Sequence, residues 1–346
     1  MIDRLDRILQ IDELLITPLE IKRNLSHNKS SDRTNSTRNN IISKNVIKTM
    51  HEYDIPLPES SVEWDQKATI VLMSYSTKRF DNIAMLLWGY QQMTGVINSI
   101  IFVWNNLDTE VHDDINHIIQ QKSSLQVPTQ LYNPKENLMT NRFDAARKLQ
   151  TNLFAPILFL DDDVYLTEDL IQRMLQSWDE CNRQCIIGLD PRYADPQTET
   201  YRYGAPPHLQ NNIAIGKTLL IQNQILHQYF NNPILVGYAA PPKSACDDIS
   251  LALFAVNVTG MLPTFVPGEK RSSPDTTKPQ QFFVSKHNVT VAGKRYDLSE
   301  EGGLSAGKGA LGWTKKRNDC VKFSIEYMGK SLVKILSKRR TILFNN

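Results

Sequence analysis

From residue 68 onward, short apolar runs alternate with stretches of helical spacing. Ala68-Thr69-Ile70-Val71-Leu72-Met73-Ser74-Tyr75 is nearly continuous in apolar residues, which predicts a strand buried on both faces. Residues 81–94 predict a helix with Asp81 as N-cap and Ile83, Leu86, Leu87 and Tyr90 facing inward. Ser99-Ile100-Ile101-Phe102-Val103-Trp104 is a second buried strand, ended by Asn105-Asn106. Residues 108–122 predict a helix, Thr129-Gln130-Leu131-Tyr132 a short strand, and residues 141–152 a third helix. Pro156-Ile157-Leu158-Phe159-Leu160 is again a buried strand, followed by a helix over 167–180. Strands alternating with helices in this way predict a mainly parallel sheet with crossover helices.

Beyond residue 185 the pattern is more mixed. Ile186-Ile187-Gly188-Leu189 and Ile213-Ala214-Ile215-Gly216 read as strands, residues 217–230 as a helix, and residues 247–257 as a helix opening with acids, as its dipole favours. Residues 267–303 hold Gly, Pro, Ser and Lys clusters and read as a long mobile loop. At the front, residues 1–22 place Leu5, Ile8, Leu9 and Ile11 near one face of an amphipathic helix. Residues 23–66 read as a flexible linker, rich at first in Asn, Ser, Thr, Lys and Arg and then punctuated by Pro56 and Pro58. A large domain is expected over 67–330, with a basic tail over 331–346 that includes Lys338-Arg339-Arg340.

Composition narrows the picture modestly. The 346 residues are 41% hydrophobic, enough for a sizeable core. With 39 basic and 37 acidic side chains, the net charge of +2 gives no general basic field, so no nucleic-acid polymer is expected as partner. No apolar stretch approaches the roughly 18 residues of a spanning helix. Acids interrupt the apolar residues of Met-Ile-Asp-Arg-Leu-Asp-Arg, so this start does not read as a signal peptide. Cys181, Cys185, Cys246 and Cys320 are too few for a disulfide framework and lack zinc-site spacing. Cys181 and Cys185, one helical turn apart, fit either a local disulfide or two buried thiols. Asn-x-Ser/Thr sequons at Asn24, Asn28, Asn35, Asn257 and Asn288 are compatible with glycosylation.

The strand ending at Leu160 runs directly into Asp161-Asp162-Asp163. Three adjacent carboxylates repel one another unless a cation sits among them, and a strand tip in an α/β sheet is where ligands bind. A hard divalent cation shared with phosphate oxygens suits such a cluster. It is not an EF-hand: Leu166 stands where that loop needs Gly, and Gln172 where it needs Glu. Nor does the chain contain a Walker phosphate loop.

A strand ending in Asp-Asp-Asp resembles the D-x-D motif of nucleotide-sugar glycosyltransferases of the GT-A fold, and the closest resemblance is to the exostosin-like family, glycosyltransferase family 64. Val103-Trp104-Asn105-Asn106 resembles that family's V-W-N-N, and Asn137-Leu138-Met139-Thr140-Asn141-Arg142-Phe143 its N-S-L-N-N-R-F. Cys246-Asp247-Asp248-Ile249 resembles C-E-D-I, and Ala255-Val256-Asn257-Val258-Thr259-Gly260 follows as A-N-V-T-G does. Gly303-Leu304-Ser305 and Arg317-Asn318-Asp319-Cys320 resemble G-L-S and R-S-E-C. The matches keep their order over roughly residues 68–330.

The resemblance implies a Rossmann-like mixed sheet flanked by helices, in one large domain with a disordered N-terminal extension. It implies that Asp163 coordinates Mn²⁺ bridging a diphosphate, and that Asp161 and Asp162 contact ribose and donor sugar. Asn105, Asn106, Asn137, Asn141 and Arg142 are expected around the nucleotide, together with Tyr75, Arg79 and Asp247. Amide side chains both donate and accept, as reading a uracil edge requires. Asp248 is expected under the anomeric carbon, Arg317 on the departing phosphate, and Cys246 bonded to Cys320. A leaving diphosphate carries much negative charge, so a metal with an arginine is the expected stabiliser. Departures are local: Arg79 is displaced from the family's position after Thr-Tyr, and Trp313 stands where His is frequent. The expectation is a metal-dependent, retaining transfer of a sugar, N-acetylhexosamine by resemblance, from a UDP-sugar to a glycan or glycolipid acceptor. A silent module that binds nucleotide sugar or a partner enzyme is the alternative. The Golgi or endoplasmic reticulum lumen is the expected compartment, with membrane association through an anchor absent from this sequence.

Overall fold

A computed structural model describes residues 67–120, 126–207, 209–240, 246–267 and 310–337, together with four short strands between 269 and 296. The expected N-terminal helix and linker, Gly303-Leu304-Ser305 and Lys338-Arg339-Arg340 lie outside the described residues.

The central sheet has seven strands. In chain order they are β1 (Ala68–Ser74), β2 (Ile97–Trp104), β3 (Thr129–Tyr132), β4 (Pro156–Asp161), β5 (Ile187–Gly188), β9 (Thr218–Gln222) and β10 (Thr264–Phe265). Their spatial order is β10-β5-β9-β4-β1-β2-β3. Pairings β1–β2, β1–β4, β2–β3 and β5–β10 are parallel, and only β9 runs against its neighbours β4 and β5. This is the mixed, mainly parallel sheet expected for the GT-A class. Between β5 and β9 a small sheet forms from β6 (Pro191–Asp195), β7 (Thr200–Arg202) and β8 (Ile213–Ala214), in the order β7-β6-β8.

The central strands are mainly apolar because both faces are covered. Ile70, Leu72, Ile100, Phe102, Leu158 and Leu160 pack toward α1 (Phe80–Gln91), α2 (Asp113–Gln120) and α4 (Glu168–Glu180). Val71, Ile101, Val103, Ile157 and Phe159 pack on the opposite face. That face carries α3 (Asn141–Leu149), α5 (Asn223–Phe230), α6 (Pro233–Ala239), α7 (Asp247–Thr259) and α8 (Ala310–Leu336). Helix α7 is buried almost all round, as a helix lodged between sheet and helix must be. It stops at Gly260, whose φ of 69° is the left-handed conformation glycine adopts without a Cβ clash.

Several expectations need correction. Residues 217–230 are not one helix: Thr218–Gln222 is strand β9, every residue buried, and the helix begins at Asn223. An apolar strand buried on both faces has no period-2 signature, so it merges with the helix that follows. Asp81 does not cap α1; a 3₁₀ turn over Thr77–Arg79 leads directly into the helix and puts Asp81 in its first turn. The helix expected over 108–122 begins only at Asp113, and residues 121–122 lie outside the described residues. Within the expected loop 267–303 lie β11 (Glu269–Lys270) paired with β12 (Phe282–Phe283), and β13 (Val289–Val291) paired with β14 (Lys294–Tyr296). Cys181 bonds Cys185, and Cys246 bonds Cys320. Asn257 is buried within α7, and its Oδ1 accepts a hydrogen bond from Ser331 Oγ at 2.8 Å.

Candidate active site

Strand β4 ends with Asp161 opposite Met73 of β1, so the triplet emerges at the carboxyl end of the central parallel strands. The three carboxylates point to three different partners, and the division of labour follows from those contacts.

Asp161 accepts from Arg142 Nη1 at 2.9 Å. Burial and the neighbouring carboxylates push Asp161 up to about 7, while Arg142 opposes the rise. Its side chain is still 40% exposed, so it can reach a ligand. Asp162 is almost buried. One of its oxygens takes Arg79 Nη1 and the other takes Ser74 Oγ. Burial raises its pKa, against the pull of Arg79 and Ser74. The 3₁₀ turn is what swings Arg79 back onto Asp162. Asp163 receives Lys217 Nζ on Oδ2 at 3.0 Å. Its other oxygen, Oδ1, is buried with no hydrogen-bond partner.

Arg142, on the first turn of α3, is only 4% exposed and joins two elements. Its Nη2 donates to Asp247 Oδ2 at 2.7 Å, and its Nη1 to Asp161 and to Gly216 O at 3.1 Å. Burial alone would weaken its charge; Asp247, Asp161 and Asp248 more than restore it. Asp247 is buried against this guanidinium, and burial raises its own pKa despite that partner. Residue 216 completes the junction. Gly216 N–H donates to Asp248 Oδ2 at 3.0 Å, and Asp161 N–H donates to Lys217 O at 3.3 Å. A Cβ on residue 216 would lie 2.7 Å from Arg142 Nη2 and 3.1 Å from Asp248 Cβ, so the segment can pass here only as glycine. Strand β4, helix α3 and the N-terminus of α7 are thus stapled at one point, with Asp161, Asp163 and Asp248 around it.

The asparagines hydrogen-bond one another and the nearby backbone. Asn105 donates to Asn137 Oδ1 at 2.9 Å and to Leu138 O at 3.1 Å, and accepts from Asn141 Nδ2 at 2.6 Å. Asn141 also donates to Glu136 O at 2.6 Å. These amides are committed to one another and fix the 133–140 segment at the start of α3. Asn106 donates to Tyr75 O and accepts from Asp108 N–H, both at 2.9 Å, which ties the ends of β1 and β2. Tyr75 is 46% exposed. A cavity of about 580 Å³ opens beside these ends, lined by Trp104, Asn106, Asp108, Leu131, Asn133 and Pro134 among others, but by none of Asp161, Asp162 and Asp163.

Arg317 stands on α8. It donates to Tyr203 Oη at 3.1 Å, and its guanidinium lies 5.0 Å from the centroid of the Tyr201 ring. Burial pushes the Tyr201 phenol up to about 12, with Asp248 close enough to add to the rise. The Cys246–Cys320 bridge holds this arrangement, since Cys246 immediately precedes Asp247 and Cys320 lies one turn beyond Arg317.

Sequence reasoning missed Ser74, Gly216, Lys217 and the Tyr201–Tyr203 pair. Ser74 and Gly216 each stood at the end of a predicted strand, a usable signal. Lys217 carried none. Among the described residues no group of three or more His, Cys, Asp or Glu side chains is placed to hold a metal. One hard carboxylate with an unpartnered oxygen does fit a divalent cation whose other ligands come from phosphate and water.

The acidic residues thus stand at the carboxyl end of a central strand of an α/β sheet, where ligands tend to bind. The model of the "Glycosyl transferase family 64 domain" matches residues 68–344, and the chain belongs to this family. A search of curated proteins returns no match. Among solved structures, mannosyltransferase PcManGT from Pyrobaculum calidifontis, in complex with GDP-Man and Mn²⁺, is 10% identical over 66% of this chain, with a TM-score of 0.38. TarS 1–349 from S. aureus is 12% identical over 58% of this chain, also with a TM-score of 0.38. The chain spans 65% and 58% of those two chains. No helix among the described residues is long and apolar enough to cross a membrane.

Proposed function

We infer that this glycosyltransferase is exostosin-like, uses Mn²⁺ and retains anomeric configuration. It moves N-acetylhexosamine from a UDP-sugar to a glycan or glycolipid acceptor. The observation that carries this reading is Asp163: a carboxylate at the tip of β4 with one buried oxygen left unpartnered. Asp163 Oδ1 would hold the cation, which when bound offsets negative charge on the diphosphate. Asp161, with its open edge, contacts the donor. Asp162, held by Ser74 and Arg79, keeps the turn after β4 rigid, as a preorganised site requires. Asp248, oriented by Gly216 N–H, stabilises positive charge at the anomeric carbon as its bond to the diphosphate breaks. Arg317 takes up the negative charge that leaves with that bond's electron pair. The acceptor hydroxyl attacks from the same face, and its proton passes to the departing phosphate oxygen. Two disulfides suit an oxidising compartment, which supports the Golgi or endoplasmic reticulum lumen as the place of action.

Calorimetric titration of UDP tests the site directly. Binding should be strong with Mn²⁺, weak with chelator, and insensitive to Mn²⁺ in Asp163→Ala. Equal UDP affinity in all three conditions would remove Asp163 from the donor site.

A further inference from the structure

Lys217 has no counterpart among the roles the family resemblance implies. It lies between β8 and β9, and the Asp161 N–H bond to its backbone carbonyl locks it beside the triplet. Its ammonium is 3.0 Å from Asp163 Oδ2, with the two side chains only 18% and 17% exposed. Asp163 Oδ1 stays buried and unpartnered. On the reading proposed above, one carboxylate then faces two cations, the ammonium on one oxygen and the metal on the other. Like charges this close, with little water between them, repel strongly. Asp161 and Asp190 also act on this ammonium, more weakly than Asp163 does. Asp161 is held by Arg142, and Asp162 by Arg79 and Ser74. Lysine is a flexible point charge with three donors, able to leave a carboxylate for a phosphate oxygen.

We propose that Lys217 couples metal binding to nucleotide binding. It holds Asp163 against the divalent cation until a nucleoside diphosphate supplies a second anion, to which the ammonium transfers. Metal then binds weakly alone and tightly with nucleotide, and by linkage the nucleotide gains the same factor from the metal. The inference rests on Asp163 as a metal ligand.

The test is Mn²⁺ affinity, measured by calorimetry or by Mn²⁺ electron paramagnetic resonance, with and without UDP. It compares wild type with Lys217→Met, Lys217→Arg and Asp163→Asn, each checked for fold by thermal melting. Without nucleotide, Lys217→Met should bind Mn²⁺ about tenfold tighter than wild type, while Lys217→Arg, which keeps the charge, should not. UDP should tighten Mn²⁺ binding more in wild type than in Lys217→Met. If Lys217→Met gains nothing while Asp163→Asn loses Mn²⁺ binding, the metal reading stands and the coupling role of Lys217 falls. If Asp163→Asn binds Mn²⁺ as wild type does, the metal reading falls and takes this proposal with it.

Discussion

Arg142 is the residue whose loss should be felt most, and Arg142→Met removes its charge while keeping an unbranched apolar stem. Three hydrogen bonds disappear, to Asp247, Asp161 and Gly216 O. The two carboxylates are not equally affected. Asp247 is 5% exposed, and leaving such a charge without its partner costs about 3–5 kcal/mol. Asp161 is 40% exposed, so water replaces much of what it loses and it adds at most about 1 kcal/mol. The expected deficit is therefore about 3–5 kcal/mol, a large part of the stability of an ordinary domain. Equilibrium urea unfolding followed by tryptophan fluorescence at about pH 7.5 measures it. Two internal checks belong to the same experiment. The double variant Arg142→Met/Asp247→Leu should recover more than half the deficit, because the stranded charge is gone. The deficit of Arg142→Met should also shrink toward about pH 5: without the guanidinium the buried Asp247 carboxyl rises further, binding a proton in the folded state that the unfolded chain has lost. A deficit under about 1 kcal/mol, or a double variant no more stable than the single one, would refute this reasoning.

Gly216→Ala brings a methyl group within 2.9 Å of Arg142 Cζ, which should cost about 1–3 kcal/mol and depress turnover disproportionately; kinetics beside thermal melting decide, and unchanged turnover would contradict the close approach. Reducing Cys246–Cys320, or replacing both with Ser, removes a cross-link spanning 74 positions and should cost about 4 kcal/mol, read as a drop in melting temperature that is absent if the bridge is mechanically idle. Asp161, pushed up to about 7, contributes stability that is full below about pH 4 and lost as pH rises through about 7. Asp161→Asn should therefore gain stability relative to wild type across that window, and a pH-independent difference in urea midpoints would count against the shift.

Strands β1, β2 and β4 and helices α1, α3 and α4 were legible because each pairs one mainly apolar run or one helical stripe with a polar break. Strand β9 was not, since Thr218–Gln222 flows without a break into the helix that begins at Asn223. The aspartate triplet was legible because three charges after a buried strand have no packing explanation. Its inner organisation was not. Arg79 reaches Asp162 through a 3₁₀ turn, and Arg142 reaches Asp247 across 105 positions of chain. Neither pairing leaves a local trace. The asparagines were recognised as special, but only their mutual hydrogen bonds show that they fix the 133–140 segment. Lys217 is a single charge on a short connection, and its importance comes entirely from where β8 and β9 deliver it.

The central claim is that the tip of β4 is a working donor site, and UDP release tests it most directly. Wild type and Asp163→Ala would be incubated with a panel of UDP-sugars, each with Mn²⁺ and with chelator. The account predicts UDP release by wild type from one or two donors, N-acetylhexosamine donors among them, only when Mn²⁺ is present and not by Asp163→Ala. Release that persists in chelator or in Asp163→Ala would contradict it.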